Sequence, residues 1–178
     1  MRIIGGKLGG RRIEISKTFS SRPTTDIARE ALFNILSNRI DFKTVRVLDL
    51  FSGTGSVSFE FYSRGTTQID AVEINRKHIS SIIQNINTLN ISGINVLCAD
   101  AFRFLSKCSP ESYDIIFADP PFDLPNRAKI PDLIFQQNIL KPEGFLILEH
   151  EVHDSYEKHQ NWKETRHYGK VTFSFFCR

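Results

Sequence analysis

Five short runs rich in Val, Ile and Leu recur at 45–50, 68–73, 94–98, 113–118 and 144–149. Segments with helical spacing of apolar residues lie between them. Parallel strands need such spacers, because the chain must return to the same end of the sheet before the next strand can begin. Strands this uniformly apolar are covered on both faces. The alternation therefore restricts the chain to the α/β class, a doubly wound, Rossmann-like sheet.

The connecting helices follow from apolar spacing and capping residues. One helix opens at Thr24 or Thr25 and carries Ile27, Ala28, Ala31, Leu32, Ile35 and Leu36 to about Asn38. A second runs from Ser56 to Arg64. A third is capped by Asn75, with Ile79, Ile82, Ile83, Ile86 and Leu89 as its core stripe. A short helix follows Asp100, and another falls near Pro131 to Asn138. Trp162 to Tyr168 and Val171 to Phe176, parted by Gly169, predict a C-terminal antiparallel edge hairpin. At the other end, Ile3-Ile4 and Ile13-Glu14-Ile15, joined through Gly5 to Gly10, predict a small N-terminal β-hairpin. A length of 178 residues suits one domain. It divides into a basic arm over 1–25 and a core over 26–178.

Charge is distributed unevenly. The whole chain carries +3, but residues 1–25 hold Arg2, Lys7, Arg11, Arg12, Lys17 and Arg22 against Glu14 alone, a local +5. A basic arm on a near-neutral body points to a polyanionic partner. Cys98, Cys108 and Cys177 form no close pair and suggest neither disulfide nor zinc; no metal is expected. With no apolar leader and no run of membrane-spanning length, the expected location is cytoplasmic, away from any membrane.

Two stretches carry chemistry. Asp49-Leu50-Phe51-Ser52-Gly53-Thr54-Gly55 ends a strand and opens a helix, and Glu73 ends the next strand. Glycines let a ligand approach the backbone, and a carboxylate at Glu73 can accept both hydroxyls of a ribose. Asp49 would repel a pyrophosphate but suits an ammonium group. S-adenosylmethionine has that ammonium, a ribose for Glu73, and an adenine for Asp100-Ala101 at the third strand end. The second stretch is Asp119-Pro120-Pro121-Phe122, after the fourth strand. Two prolines fix the backbone, leaving a rigid carboxylate, free carbonyls and an aromatic ring. Such a platform grips the edge of a flat aromatic amine and stacks on its face.

Asp49-x-Phe51-x-Gly53-x-Gly55 and Asp119-Pro120-Pro121-Phe122 resemble motifs I and IV of class I amino-group methyltransferases. Arg22-Pro23-Thr24, Arg29-Glu30-Ala31-Leu32-Phe33-Asn34-Ile35-Leu36, Gly6-x-x-Gly9-Gly10-Arg11 and Arg166-x-Tyr168-Gly169 resemble the bacterial RsmD family over nearly the whole chain. The resemblance implies methyl transfer from S-adenosylmethionine, leaving S-adenosylhomocysteine, to the 2-amino group of a guanine in small-subunit (16S) ribosomal RNA. The expected partner is ribosomal RNA within a small-subunit particle, and the expected state is a monomer; the sequence itself leaves open free RNA against particle and the oligomeric state. Asp119 and Pro120 would orient the amine, and Phe122 would stack on the base. Asp49, Phe51, Gly53, Gly55, Glu73, Asp100 and Ala101 would hold the cofactor; Lys7, Arg11, Arg12 and Arg22 would hold phosphates. Two alternatives stay open: an amino methyltransferase acting on DNA adenine or protein glutamine, and a non-catalytic nucleoside-binding RNA chaperone.

Overall fold

A computed structural model describes residues 1–15 and 25–178. Its elements in chain order are α1 (Asp26–Ser37), β1 (Arg46–Leu50), α2 (Ser56–Arg64), β2 (Gln68–Glu73), α3 (Arg76–Thr88), β3 (Ile94–Cys98), α4 (Ala101–Leu105), β4 (Tyr113–Ala118), α5 (Ile130–Gln136), β5 (Leu140–His150), β6 (Trp162–Tyr168) and β7 (Val171–Cys177). They form one seven-stranded sheet in the order β3-β2-β1-β4-β5-β7-β6. Strands β1 to β5 run parallel, and β7 lies antiparallel between β5 and β6. This is the expected doubly wound sheet with its antiparallel C-terminal hairpin. The strand order reverses between β1 and β4, so the loops leaving those two strands diverge and open a crevice.

Strand alternation sorts the core into two layers. Val47, Ile69, Ile115, Phe117, Ile147, Phe173 and Phe175 face a layer that includes Leu32 and Phe33 of α1, Phe59 and Phe61 of α2 and Ile82 of α3. Leu48, Leu50, Val72, Ile116, Ala118, Leu146 and Leu148 face α4 and α5. Burial on both faces holds the strand ends rigidly, which is what a site built on them requires.

Several expectations change in detail. Strand β5 begins at Leu140 rather than Gly144: Leu140 pairs with Tyr113 and Phe145 with Ile115, so a bulge absorbs the residues between, which alone would read as a turn. Helix α5 starts earlier than its apolar spacing suggested, at Ile130, after a single 3-10 turn over Arg127–Lys129. Ile27 is 77% exposed and Ile83 is 44% exposed, so neither belongs to the core stripe of its helix. Beside Ile82, α3 also buries a polar side chain, Asn85, which accepts from the Glu14 amide at 2.9 Å and donates to the Glu14 carbonyl at 2.8 Å. A side-chain amide thus pairs the backbone of the arm as a neighbouring strand would.

The arm is less than a β-hairpin. One antiparallel bridge joins Arg2 and Arg12, flanked by bonds from Ile3 N to the Arg11 carbonyl and from Ile13 N to the Met1 carbonyl, both 2.9 Å. A 3-10 turn over Gly6–Leu8 closes it. Ile3 and Ile13 are buried, so the arm packs into the α1–α3 layer. Beneath it lies Arg29, fully buried, paired with Asp26 at 2.8 Å and with buried Glu60 at 3.4 Å. Arg29 also donates to the Arg2 carbonyl at 2.8 Å, while Glu60 accepts from the Ile4 amide. The Arg29-to-Leu36 stretch therefore includes the anchor of the arm.

Candidate active site

The loop after β1 is shaped by its own backbone. Phe51 has φ +60°, an uncommon conformation for a bulky residue, and Ser52 donates from its amide and hydroxyl to the Val72 carbonyl at 3.0 Å each. Gly55 caps α2 at φ +75°; a Cβ there would lie 3.0 Å from Phe59 and 3.2 Å from Ile82. The turn is consequently tight and pressed onto α2 and α3. Asp49 is buried, and one of its oxygens accepts from the Ser58 amide at 3.1 Å and hydroxyl at 2.5 Å. Burial pushes its pKa up to about 7 against those Ser58 bonds, with the Glu73 charge adding to the rise. A cationic group brought alongside would restore the charged form.

Glu73 closes the crevice from β2. One oxygen accepts from the Gly53 amide at 2.8 Å; the other accepts from Ile74 at 2.9 Å and Asn75 at 2.7 Å. The carboxylate thus ties the glycine loop to the turn after β2 and fixes its own orientation. Asp100 caps α4 by accepting from Arg103 N at 2.9 Å, with Ala101 buried behind it. Asp119 follows β4, half-buried, its amide 3.5 Å from the Leu50 carbonyl. Burial holds its pKa well above the carboxylate range, and the neighbouring Glu149 and Asp49 charges push it further.

These groups enclose a cavity of about 550 Å³ on the carboxyl edge of the sheet. Asp49, Phe51, Gly53, Glu73, Asp100, Ala101, Asp119, Pro120 and Phe122 all line it. Gly55 does not; it shapes the turn. The volume lies in the range of small-molecule and cofactor sites. The acidic strand ends offer acceptors to an ammonium and a ribose, and this set of acceptors fits S-adenosylmethionine. Phe122, half-exposed at 51%, stands at the rim.

Ile74, His78 and Leu124 also line the cavity and were not singled out from sequence. Ile74 could have been: an exposed isoleucine directly after a strand-end carboxylate has no core to serve. Glu149 is a further omission. It is buried on β5 and extends the row of carboxylates on adjacent strand ends, Glu73, Asp49 and Asp119. Among the described residues, no grouping of His, Cys, Asp and Glu could hold a metal ion, and no helix is long and apolar enough to cross a membrane.

The proposed phosphate-binding residues lie apart from the cavity. The arm starts beside the glycine loop, where the Thr54 hydroxyl lies 3.9 Å from Met1 Sδ. Its tip sits at the other end of α2, where Leu8 N donates to Ser63 Oγ at 2.9 Å. Lys7 is at that tip, its ammonium 3.7 Å above the Tyr62 ring. Arg11 and Arg12 are exposed on the returning strand. Arg22 and its Arg22-Pro23-Thr24 stretch lie outside the described residues.

The family model described as Conserved hypothetical protein 95 matches residues 1–177. The ribosomal RNA small subunit methyltransferase D of Buchnera aphidicola subsp. Acyrthosiphon pisum is 34% identical over 175 residues, covering 98% of this chain and 90% of the relative. The Escherichia coli K12 protein of the same name is 33% identical over 153 residues, covering 85% and 75%. A solved Escherichia coli structure described as a candidate methyltransferase superposes with a TM-score of 0.86 at 30% identity, covering 100% of this chain and 97% of that one.

Proposed function

The chain belongs to the RsmD family, and we propose that it transfers the methyl group of S-adenosylmethionine to the 2-amino group of a guanine in small-subunit ribosomal RNA. The observation that carries the proposal is that Asp119-Pro120-Pro121-Phe122 lines the same cavity as Asp49 and Glu73. The relatives' shared name, ribosomal RNA small subunit methyltransferase D, supports the choice of RNA.

The cofactor supplies an electrophilic methyl on a sulfonium. Asp49 and the N-terminal end of α2 would hold its amino acid part, Glu73 its ribose, and Ile74, Asp100 and Ala101 its adenine. The remaining work is positioning. A guanine amine is a weak nucleophile, because its lone pair is delocalised into the ring. Asp119 and the Pro120 carbonyl accept its hydrogens and turn the lone pair toward the methyl; such orientation can supply roughly 7–11 kcal/mol of the barrier. The nitrogen gains a methyl and must lose one proton. Asp119 in its ionised form can take that proton, and burial with the Glu149 and Asp49 charges raises its affinity for it. Phe122 offers a ring for base stacking, worth about 1–3 kcal/mol, which offsets much of the few kcal/mol needed to unstack the target. Exposed Arg11 and Arg12 would hold phosphates without reading sequence.

The test supplies methyl-labelled cofactor with small-subunit particles, naked ribosomal RNA, duplex DNA or ribosomal protein. Label recovered as N2-methylguanosine is expected. Label on adenine or on protein, or none in any RNA, would refute the assignment. Comparing particles with naked RNA also identifies which form is the substrate.

A further inference from the structure

The Phe122 ring is backed by a charged side chain that belongs to a different contact. After Pro121 the chain turns, with Leu124 N donating to the Pro121 carbonyl at 2.9 Å, and reaches Arg127 just before α5. The Arg127 guanidinium lies 5.7 Å from the centroid of the Phe122 ring. Its Nη2 meets both Asp154 oxygens, at 3.2 and 3.0 Å, and lies 3.9 Å from Glu151. Asp154 and Glu151 sit in the loop after β5, closed by a bond from Asp154 N to the Glu151 carbonyl at 3.1 Å. Val152 is exposed at its tip. One side chain therefore joins the loop after β4, which begins at Asp119, to the loop after β5, the strand that carries Glu149.

The pairing is also incompletely made. Arg127 Nη1 and Asp154 Oδ2 are both buried, and neither forms a hydrogen bond among the described residues. All contact passes through Nη2, although a guanidinium and a carboxylate can meet through two parallel bonds.

We propose that Arg127 is a positioning residue that latches the loop after β4 to the loop after β5 and backs one face of Phe122, presenting the other face to the target base. This rests on Phe122 as the base platform of the proposed reaction. The latch does no chemistry and touches no reacting atom. It sets the angle at which an extruded base meets Asp119. An isolated surface ion pair would contribute little; this one has a cation held over an aromatic ring as well.

Four variants test it: Arg127→Ala, Arg127→Lys, Asp154→Asn and Phe122→Ala, with the Arg127→Ala/Phe122→Ala pair. In Arg127→Ala, single-turnover methylation of small-subunit particles at saturating cofactor should fall at least tenfold, while cofactor affinity stays within twofold of wild type. Arg127→Lys should recover part of the rate, since it keeps the charge but not the planar face. In the Phe122→Ala background, the same Arg127→Ala change should cost less than twofold. A wild-type rate in Arg127→Ala would overturn the latch. So would an equal loss in both backgrounds with the salt dependence of RNA binding flattened by about one unit of slope, the mark of a direct phosphate contact. Should Arg127→Ala fail to fold, Asp154→Asn opens the same joint and is judged by the same thresholds. Hydrogen exchange gives a readout free of substrate: Arg127→Ala should speed exchange over both 121–129 and 151–155, and unchanged exchange in the second segment would refute the joint. If wild-type protein methylates no RNA, the functional assignment fails, and exchange still decides the latch.

Discussion

The two ends of α2 are built from the same residue types and do different work. At its first turn, glycines lead in and Ser58 binds the buried carboxylate of Asp49. At its last turn, glycines again press close: a Cβ on Gly6, at φ +76°, would lie 2.1 Å from the Ser63 carbonyl oxygen, and Ser63 binds backbone groups at Gly5 and Leu8. Nearly the whole helix between is buried. The first end faces a cavity, and its acidic groups retain acceptor capacity toward it. The second end faces the arm, and its polar atoms are consumed in docking. Glycine, serine and charge at a helix end therefore do not identify a ligand site. What distinguishes the two is an unfilled volume against the polar groups.

The sharpest way to separate the ends is to damage each and watch a different property. Asp119→Ala strikes the cavity. Single-turnover methylation, at saturating cofactor and RNA, should drop by orders of magnitude with melting almost unmoved. If Asp119 merely capped a turn, the variant would instead lose about 0.5–2 kcal/mol of stability and keep near-normal turnover. Asp119→Asn keeps an acceptor and should retain partial activity if orientation matters more than proton removal.

Damage at the arm should show as lost stability. Glu60→Ala leaves the fully buried Arg29 charge without its buried partner and strips the Ile4 amide of its acceptor. Breaking a buried pair from one side typically costs about 3–5 kcal/mol. Denaturant unfolding should show that loss, while cofactor affinity in the protein that remains folded stays close to wild type. Loss of cofactor binding in folded Glu60→Ala would mean that the two ends of α2 communicate.

The same comparison explains what the sequence could disclose. Strand ends are legible because an apolar run terminates sharply, so Asp49, Glu73 and Asp119 could be placed on one sheet edge before any coordinates. Both boundaries of α2, β2, β3 and β4 agree with the sequence expectation for the same reason. Arg29, Glu60 and Asn85 were illegible. Each is a polar residue in a helix, a pattern that normally marks the solvated face, and only the arm packing over them makes them interior. Glu73 was half legible: its carboxylate was expected for a ribose, but its bonds to three backbone amides depend on a loop geometry that spacing does not encode.

A smaller effect comes from pH. Asp49 has its folded pKa raised to about 7, above its ordinary value, mainly by burial. In the empty protein this group's contribution to stability is present at low pH and lost as pH rises through about 7. Cofactor binding should run the other way, because an ammonium favours the ionised carboxylate. Affinity measured by calorimetry should rise from pH 6 toward pH 7.5, then level off as an α-amino group begins to lose its proton near about 8. Asp49→Asn should flatten the lower limb. A lower limb that persists in Asp49→Asn would assign the titration to another group.

The smallest effect tests whether the arm belongs wholly to packing. Arg11 and Arg12 are exposed on its returning strand, whereas Lys7 sits at the tip, against Tyr62 and roughly 10 Å along α2 from the glycine loop by helix rise. An ammonium over a ring contributes about 0.5–1 kcal/mol at an exposed site, so Lys7→Ala should cost a little stability. If the RNA footprint centres on the cavity, Arg11→Ala and Arg12→Ala should each flatten the salt dependence of RNA binding by about one unit of slope. Lys7→Ala should change it least, and none of the three should alter cofactor affinity. An equal slope change in Lys7→Ala would extend the footprint down the length of α2. The far end would then serve RNA as well as packing, and the division between the two ends would fail. No slope change in any of the three would confine the arm to packing and move the phosphate contacts to other surfaces.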